Sequence, residues 1–173
     1  MKRIYWRRIS TIGALCITMG MHADAYNDRL VRIINTISNQ YDRSSRDAQD
    51  MASAALQALN FVTVENSLSK NSPLGKKNKY ITICAEKLQE KVLELLKVIL
   101  DSEKIETGKA SRDVLLKKAW FIESKLKQIE GEIAEIPKKQ LLPLTKVQKD
   151  LINLLELLVR KNITVITGII PHI

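Results

Sequence analysis

Two cysteines, two histidines, six glycines and four prolines are few for a chain of 173 residues. Such scarcity of Gly and Pro disfavours a sandwich or barrel, which needs a turn every 8–12 residues or so. It also excludes collagen-like and low-complexity classes. Aromatic residues are only 5% of the chain and lie scattered, so stacking platforms for single-stranded nucleic acid are not expected. No nucleic-acid recognition motif appears either, and a nucleic-acid partner is disfavoured. Glycines such as Gly75 and Gly108 stand alone, outside any phosphate-cradling motif.

Charge is unbalanced. Lys and Arg number 28 against 19 Asp and Glu, a formal net charge of +9. Four of these cations (Lys2, Arg3, Arg7 and Arg8) open the chain, and an apolar run from Ile9 to Met21 follows. That order is the signature of a secretory signal peptide, and the run is too short for a spanning helix. Ala23-Asp24-Ala25 supplies small residues at the −3 and −1 positions, which predicts cleavage before Tyr26. Residues 1–25 are thus read as a signal peptide and 26–173 as a single domain. A retained anchor is the competing expectation. Leu15, directly before Cys16, is not the small residue a lipidated cysteine usually follows.

Cleavage removes four cations and one acid, lowering the net charge from +9 to +6, and takes Cys16 and His22 with it. Cys84 and His172 are then the sole residues of their types. Neither an intrachain disulfide nor a Cys/His zinc site can be built from them. General acid–base and nucleophilic catalysis most often use histidine, and the one that remains is second from the end. Glu130, Glu132 and Glu135 cluster, but such runs usually form solvated helix faces. No catalytic residue, metal site or cofactor is therefore expected. Asn162-Ile163-Thr164 fits a glycosylation acceptor, a three-residue match of low specificity. Cys84 reads either as a small buried hydrophobe or as an intermolecular disulfide partner.

What the sequence has in abundance is helical periodicity. A first predicted helix spans about 26–68, with Leu30, Ile34, Ile37, Tyr41, Ser44, Ala48, Met51, Ala55, Ala58 and Val62 alternating at steps of four and three. Small residues weaken the middle of this seam, and a bend near Ser44-Ser45 is the alternative. The second helix, about 79–104, carries Ile81, Ala85, Leu88, Val92, Leu95 and Ile99, with Leu93, Leu96 and Leu100 broadening the stripe. Ser111 is the expected N-cap of the third, about 111–136, whose seam is Leu115, Ala119, Ile122, Leu126, Ile129, Ile133 and Ile136. Thr145 and Gln148 spell a capping box for the fourth, about 145–164. Its stretch from Leu151 to Val159 is apolar except at Asn153 and Glu156, as expected of a helix buried amid others. The β-branched tail from Ile163 to Ile173, with Pro171 near its end, is expected to fray.

These elements predict an all-α, up-down-up-down four-helix bundle of long coiled-coil-like helices. That topology gathers Lys70, Lys76, Lys77, Lys79, Lys138, Lys139 and Lys146 at one end. Such an end suits an anionic partner, be it lipid, glycan or acidic protein. Trp120 and Phe121, flanking Ala119, read either as rim packing or as a partner anchor. The expected function is that of a small exported, bacterial-type helical protein, periplasmic or secreted, that acts by binding an unknown protein partner or an anionic surface. The alternatives are a subunit of a surface or secretion assembly and a peripheral binder of anionic membrane or glycan. A homo-oligomer through the first or the fourth helix also fits the pattern.

Overall fold

The computed structural model describes residues 23–42, 47–68, 79–105, 111–140 and 142–173, and they are helical with no strand among them. The elements are α1 (Ala23–Asp42), α2 (Ala48–Leu68), α3 (Lys79–Ser102), α4 (Arg112–Ala134), the single turn α5 (Ile136–Lys139), α6 (Lys146–Ile169) and a 3₁₀ turn at Ile170–His172. Residues 1–22, which hold most of the expected signal peptide, lie outside the described residues, as does the break at 69–78.

The single first helix expected over 26–68 is instead two helices. A local cause is Asp47, whose Oδ1 accepts the backbone N–H of Gln49 at 2.8 Å and of Asp50 at 3.2 Å. An aspartate so placed satisfies donors that open a new helix. The two helices also pack differently: α1 lies mainly on α6, and α2 mainly on α3. In α2 the buried residues are Ala52, Ala55, Ala58, Leu59 and Val62, so Ala55, Ala58 and Val62 of the expected seam are buried while Ala48 and Met51 are only half-buried.

Helices α3 and α4 obey their sequence pattern closely. All six expected seam residues of α3 and all seven running from α4 into α5 are buried. Leu93 and Leu100 of α3 do not broaden that core; they face outward. Ser111 occupies the N-cap position of α4 without a side-chain hydrogen bond to the helix. Pro137 falls in the first turn of α5, where the missing N–H costs nothing, so the chain turns once more before its loop.

Antiparallel directions follow from side-chain pairs. Lys87, early in α3, meets Glu132, late in α4, at 2.7 Å. Glu130 and Glu123 of α4 meet Arg160 and Thr167 of α6 at 3.0 and 3.5 Å. The beginning of α3, the end of α4 with α5, and the beginning of α6 therefore share one end of the molecule.

The capping box at α6 forms as its sequence predicts: Gln148 N–H donates to Thr145 Oγ1, and Thr145 N–H donates to Gln148 Oε1. α6 packs against α1, α2, α3 and α4 together. It continues to Ile169, five residues past the expected end, because Val165, Ile166 and the terminal Ile173 are buried. Tertiary packing here outweighs the modest helix penalty of β-branched residues.

Candidate functional site

Four of the seven end lysines are described, and the antiparallel order puts all four at the shared end. Lys79 opens α3, Lys138 and Lys139 close α5, and Lys146 opens α6. All four side chains are exposed. Lys138 is held by Glu135 at 2.7 Å, and the Glu135 carboxyl is depressed below its usual range, first by that hydrogen bond. The charge of Lys139 helps lower Glu132 and Glu135 and reaches Cys84. Tyr80 and Leu142 are exposed at the same end. Lys70, Lys76 and Lys77 lie outside the described residues.

A second surface lies along α4. Its core seam runs through Leu115, Ala119, Ile122 and Leu126, so the helical repeat turns Trp120 and Phe121 away from the core. Trp120 is 54% exposed and Phe121 52%. The Phe121 ring has the Lys91 ammonium 5.6 Å from its centroid and that of Lys125 at 5.7 Å, within cation–π range. Rim packing, one of the two expectations, describes Phe121 in part. Trp120 stands clear.

Beside Phe121, a groove of about 190 Å³ runs between α3 and α4, lined by Glu94, Lys97, Asp101, Lys118, Phe121 and Ile122. Enclosed small-molecule sites are usually larger, about 300 Å³ or more. The groove is a surface crease of mixed charge. Lys91 bridges Glu94 at 2.9 Å and Glu90 at 3.1 Å, and Lys104 holds Asp101 at 2.7 Å. Asp101 is thereby pulled below the usual carboxylate range, chiefly by the Lys104 hydrogen bond, with a contribution from Lys118. Lys97, Lys117 and Lys118 make no ion pair among the described residues.

Buried polar groups are few. Asn162 is fully buried; its Nδ2 donates to Leu158 O at 2.8 Å and to Tyr41 Oη at 3.2 Å. Its Oδ1 is buried without a partner. The acceptor of the Asn-x-Thr motif is thus sealed inside the folded protein. Cys84 is a buried free thiol, pushed up by desolvation and then by the charge of Glu132, as befits a packed, unreactive cysteine.

Among the described residues, no group of three or more His, Cys, Asp or Glu is placed to hold a metal ion. No described helix is long and apolar enough to cross a membrane. The exposed aromatics of α4 carried a sequence signal, because both fall off the seam of α4. The outward turn of Leu93 and Leu100 did not, since both abut the apolar stripe. Comparison with known proteins finds no matching family model, no matching curated protein and no matching solved structure.

Proposed function

We propose that this chain is a small exported, bacterial-type protein that acts by binding, as an interaction or effector-like protein of the periplasm or the exterior, without catalysis. In this reading α2, α3, α4 and α6 form an up-down-up-down bundle, and α1 is an added arm laid on α6. The ion pairs from α3 to α4 and from α4 to α6 support that order. Export is supported by the cationic start, the apolar run and Ala23-Asp24-Ala25. The observation that carries the binding reading is Trp120 beside Phe121, both more than half exposed on a helix whose other face is fully packed. Neighbouring exposed aromatics are the groups that most often dominate interaction energy.

The test has two parts. N-terminal sequencing of exported protein is expected to begin at Tyr26. Replacing Trp120 and Phe121 together with Ala is expected to abolish the biological association of the exported chain while its helical circular dichroism is unchanged. Association that survives the double substitution would refute the α4 surface as the binding site.

The second reading places binding of an anionic membrane or glycan at the lysine end. Its support is the shared position of Lys79, Lys138, Lys139 and Lys146. A structural subunit, self-associating through the first segment (α1 and α2) or through α6, is separated from both by light scattering, which would then report a defined oligomer.

A further inference from the structure

We propose that the outward face of α4, with Val114, Lys117, Lys118, Trp120, Phe121 and Lys125, docks on an anionic lipid surface. The inference rests on the binding reading above and names the partner chemistry of that surface.

Composition of the face is the first argument. Val114, Trp120 and Phe121 are each half or more exposed. Lys117 and Lys118 sit between Val114 and Trp120 and make no ion pair among the described residues; Lys97 lies across the groove in the same condition. Of the nearby acids, Glu94 is engaged by Lys91, Asp101 by Lys104 with Lys118 near, and Glu123 by Lys127 at 2.7 Å, while the exposed Asp113 makes no ion pair among the described residues and offsets one of the three lysines. A surplus of positive charge therefore remains where the apolar side chains are exposed.

Arrangement is the second argument. Protein interfaces favour aromatics but are depleted of lysine. Here the Phe121 ring is flanked by two lysine ammonium groups, and two more lysines precede Trp120. A headgroup layer accommodates that mixture. The indole lies at the polar–apolar boundary, the phenyl and isopropyl groups reach toward the acyl chains, and the lysines snorkel to phosphates. Since no described helix can cross the bilayer, the contact is one that lies on the surface.

Trp120 can report its own insertion. The chain has two tryptophans, so Trp6→Phe leaves Trp120 as the single indole of the full chain. This chain is titrated with phosphatidylcholine vesicles, with or without about a third phosphatidylglycerol, carrying lipids brominated on their acyl chains. The anionic vesicles are expected to blue-shift and quench Trp120, the neutral ones to leave it unchanged, and molar salt to reverse the effect. Changing Lys117 and Lys118 to Gln should weaken the apparent affinity about fivefold per lysine. Changing Lys138 and Lys139 to Gln tests the second reading directly: a loss of quenching as large as that of the Lys117 and Lys118 change would overturn the α4 assignment in favour of the lysine end. Circular dichroism of each variant checks that helicity is retained. Because residues 1–25 are common to all these chains, they cannot produce the differences between variants, and a preference for anionic vesicles that Lys117→Gln with Lys118→Gln leaves unchanged would overturn the proposal. Vesicles that sediment the protein while Trp120 stays unquenched would overturn the proposal and place the contact elsewhere. An absence of vesicle binding would also overturn it. If Trp120→Ala with Phe121→Ala then abolished association with a protein instead, the binding function would stand and the lipid assignment would fall.

Discussion

Helices α4 and α6 are nearly equal in length, at 23 and 24 residues, yet they occupy opposite kinds of place. α6 is touched by four other long helices and buries a broad stripe of side chains from Val147 to Ile166, leaving residues such as Asn153, Arg160 and Thr164 exposed on its far side. α4 packs between α3 and α6 along one narrow seam and turns the rest of its surface outward. The difference lies in the breadth of the apolar stripe. Adjacent apolar pairs in α6, such as Leu151-Ile152 and Leu154-Leu155, fill two sides of the helix at once. In α4 the seam advances by threes and fours, and an apolar residue off that line, such as Trp120, has no neighbour to bury it. An aromatic side chain beyond the stripe is therefore a surface feature, and the expected effects of substitution divide accordingly.

The sharpest contrast lies within α4 itself. Ile129→Asp would place an unpaired charge in the core, at a cost of several kcal/mol, and is expected to unfold the protein. Gln128→Asp, one residue away and exposed, should change stability by only a few tenths of a kcal/mol. Thermal unfolding followed by circular dichroism reads both. Equal effects would mean that the helix is rotated from the orientation described.

Across the two helices, Leu155→Ala in α6 should cost about 2–5 kcal/mol, the usual range for a fully buried leucine. Trp120→Ala in α4 should stay within about 0.5 kcal/mol, despite the larger side chain removed. Urea titration separates these outcomes. A cost at Trp120 comparable with that at Leu155 would show that the indole packs on the fold and is no anchor for a partner.

How much of this could be read in the sequence depended on whether the signal was local. The seams of α3 and α4, the capping box at Thr145 and the buried character of α6 follow from spacing and cap chemistry alone. The division between α1 and α2 was visible only as a weak seam and a possible bend, because small residues leave the register underdetermined. Asp47, a cap in the right place, was the local clue. The extension of α6 to Ile169 was not legible, since it depends on burial of Ile173 and on contacts with distant helices. The shared end of Lys79, Lys138, Lys139 and Lys146 could be inferred from topology. The contrast between packed and outward faces at Leu93 and Leu100 needed three dimensions.

A smaller effect tests a buried polar contact between α1 and α6. Tyr41→Phe removes the phenol that accepts from Asn162 and should cost about 0.5–1.5 kcal/mol. Burial raises the Tyr41 phenol well above its ordinary value, although the Asn162 hydrogen bond pulls the other way. Its neutral form is thus favoured by folding. The associated stability is intact below the unfolded phenol value of about 10 and declines as the pH rises beyond it. Ultraviolet titration should find one tyrosine that ionises only as the protein unfolds in alkali, and Tyr41→Phe should abolish that component.

A small coupling is expected where α3 meets the edge of the outward face, at Lys87 and Glu132. Their 2.7 Å contact is half-exposed on the lysine side, so solvent screens it and the pair should contribute about 0.2–1 kcal/mol. The Lys87 hydrogen bond is the main reason that Glu132 sits below the usual carboxylate range, and Gln128 adds a second donor. The same contact raises Lys87. A depressed acid stabilises above its unfolded value and loses that contribution as the pH falls through its folded value. A raised lysine stabilises below its unfolded value and loses that contribution as the pH climbs through its folded one. The pair therefore acts between the two, across the neutral range. A double-mutant cycle with Lys87→Gln and Glu132→Gln should show this coupling near pH 7, and it should vanish in molar salt or once the carboxylate is protonated. Coupling above about 2 kcal/mol would mark the pair as a structural clamp, and the outward side of α4 would then be more firmly built into the fold than its exposed aromatics imply.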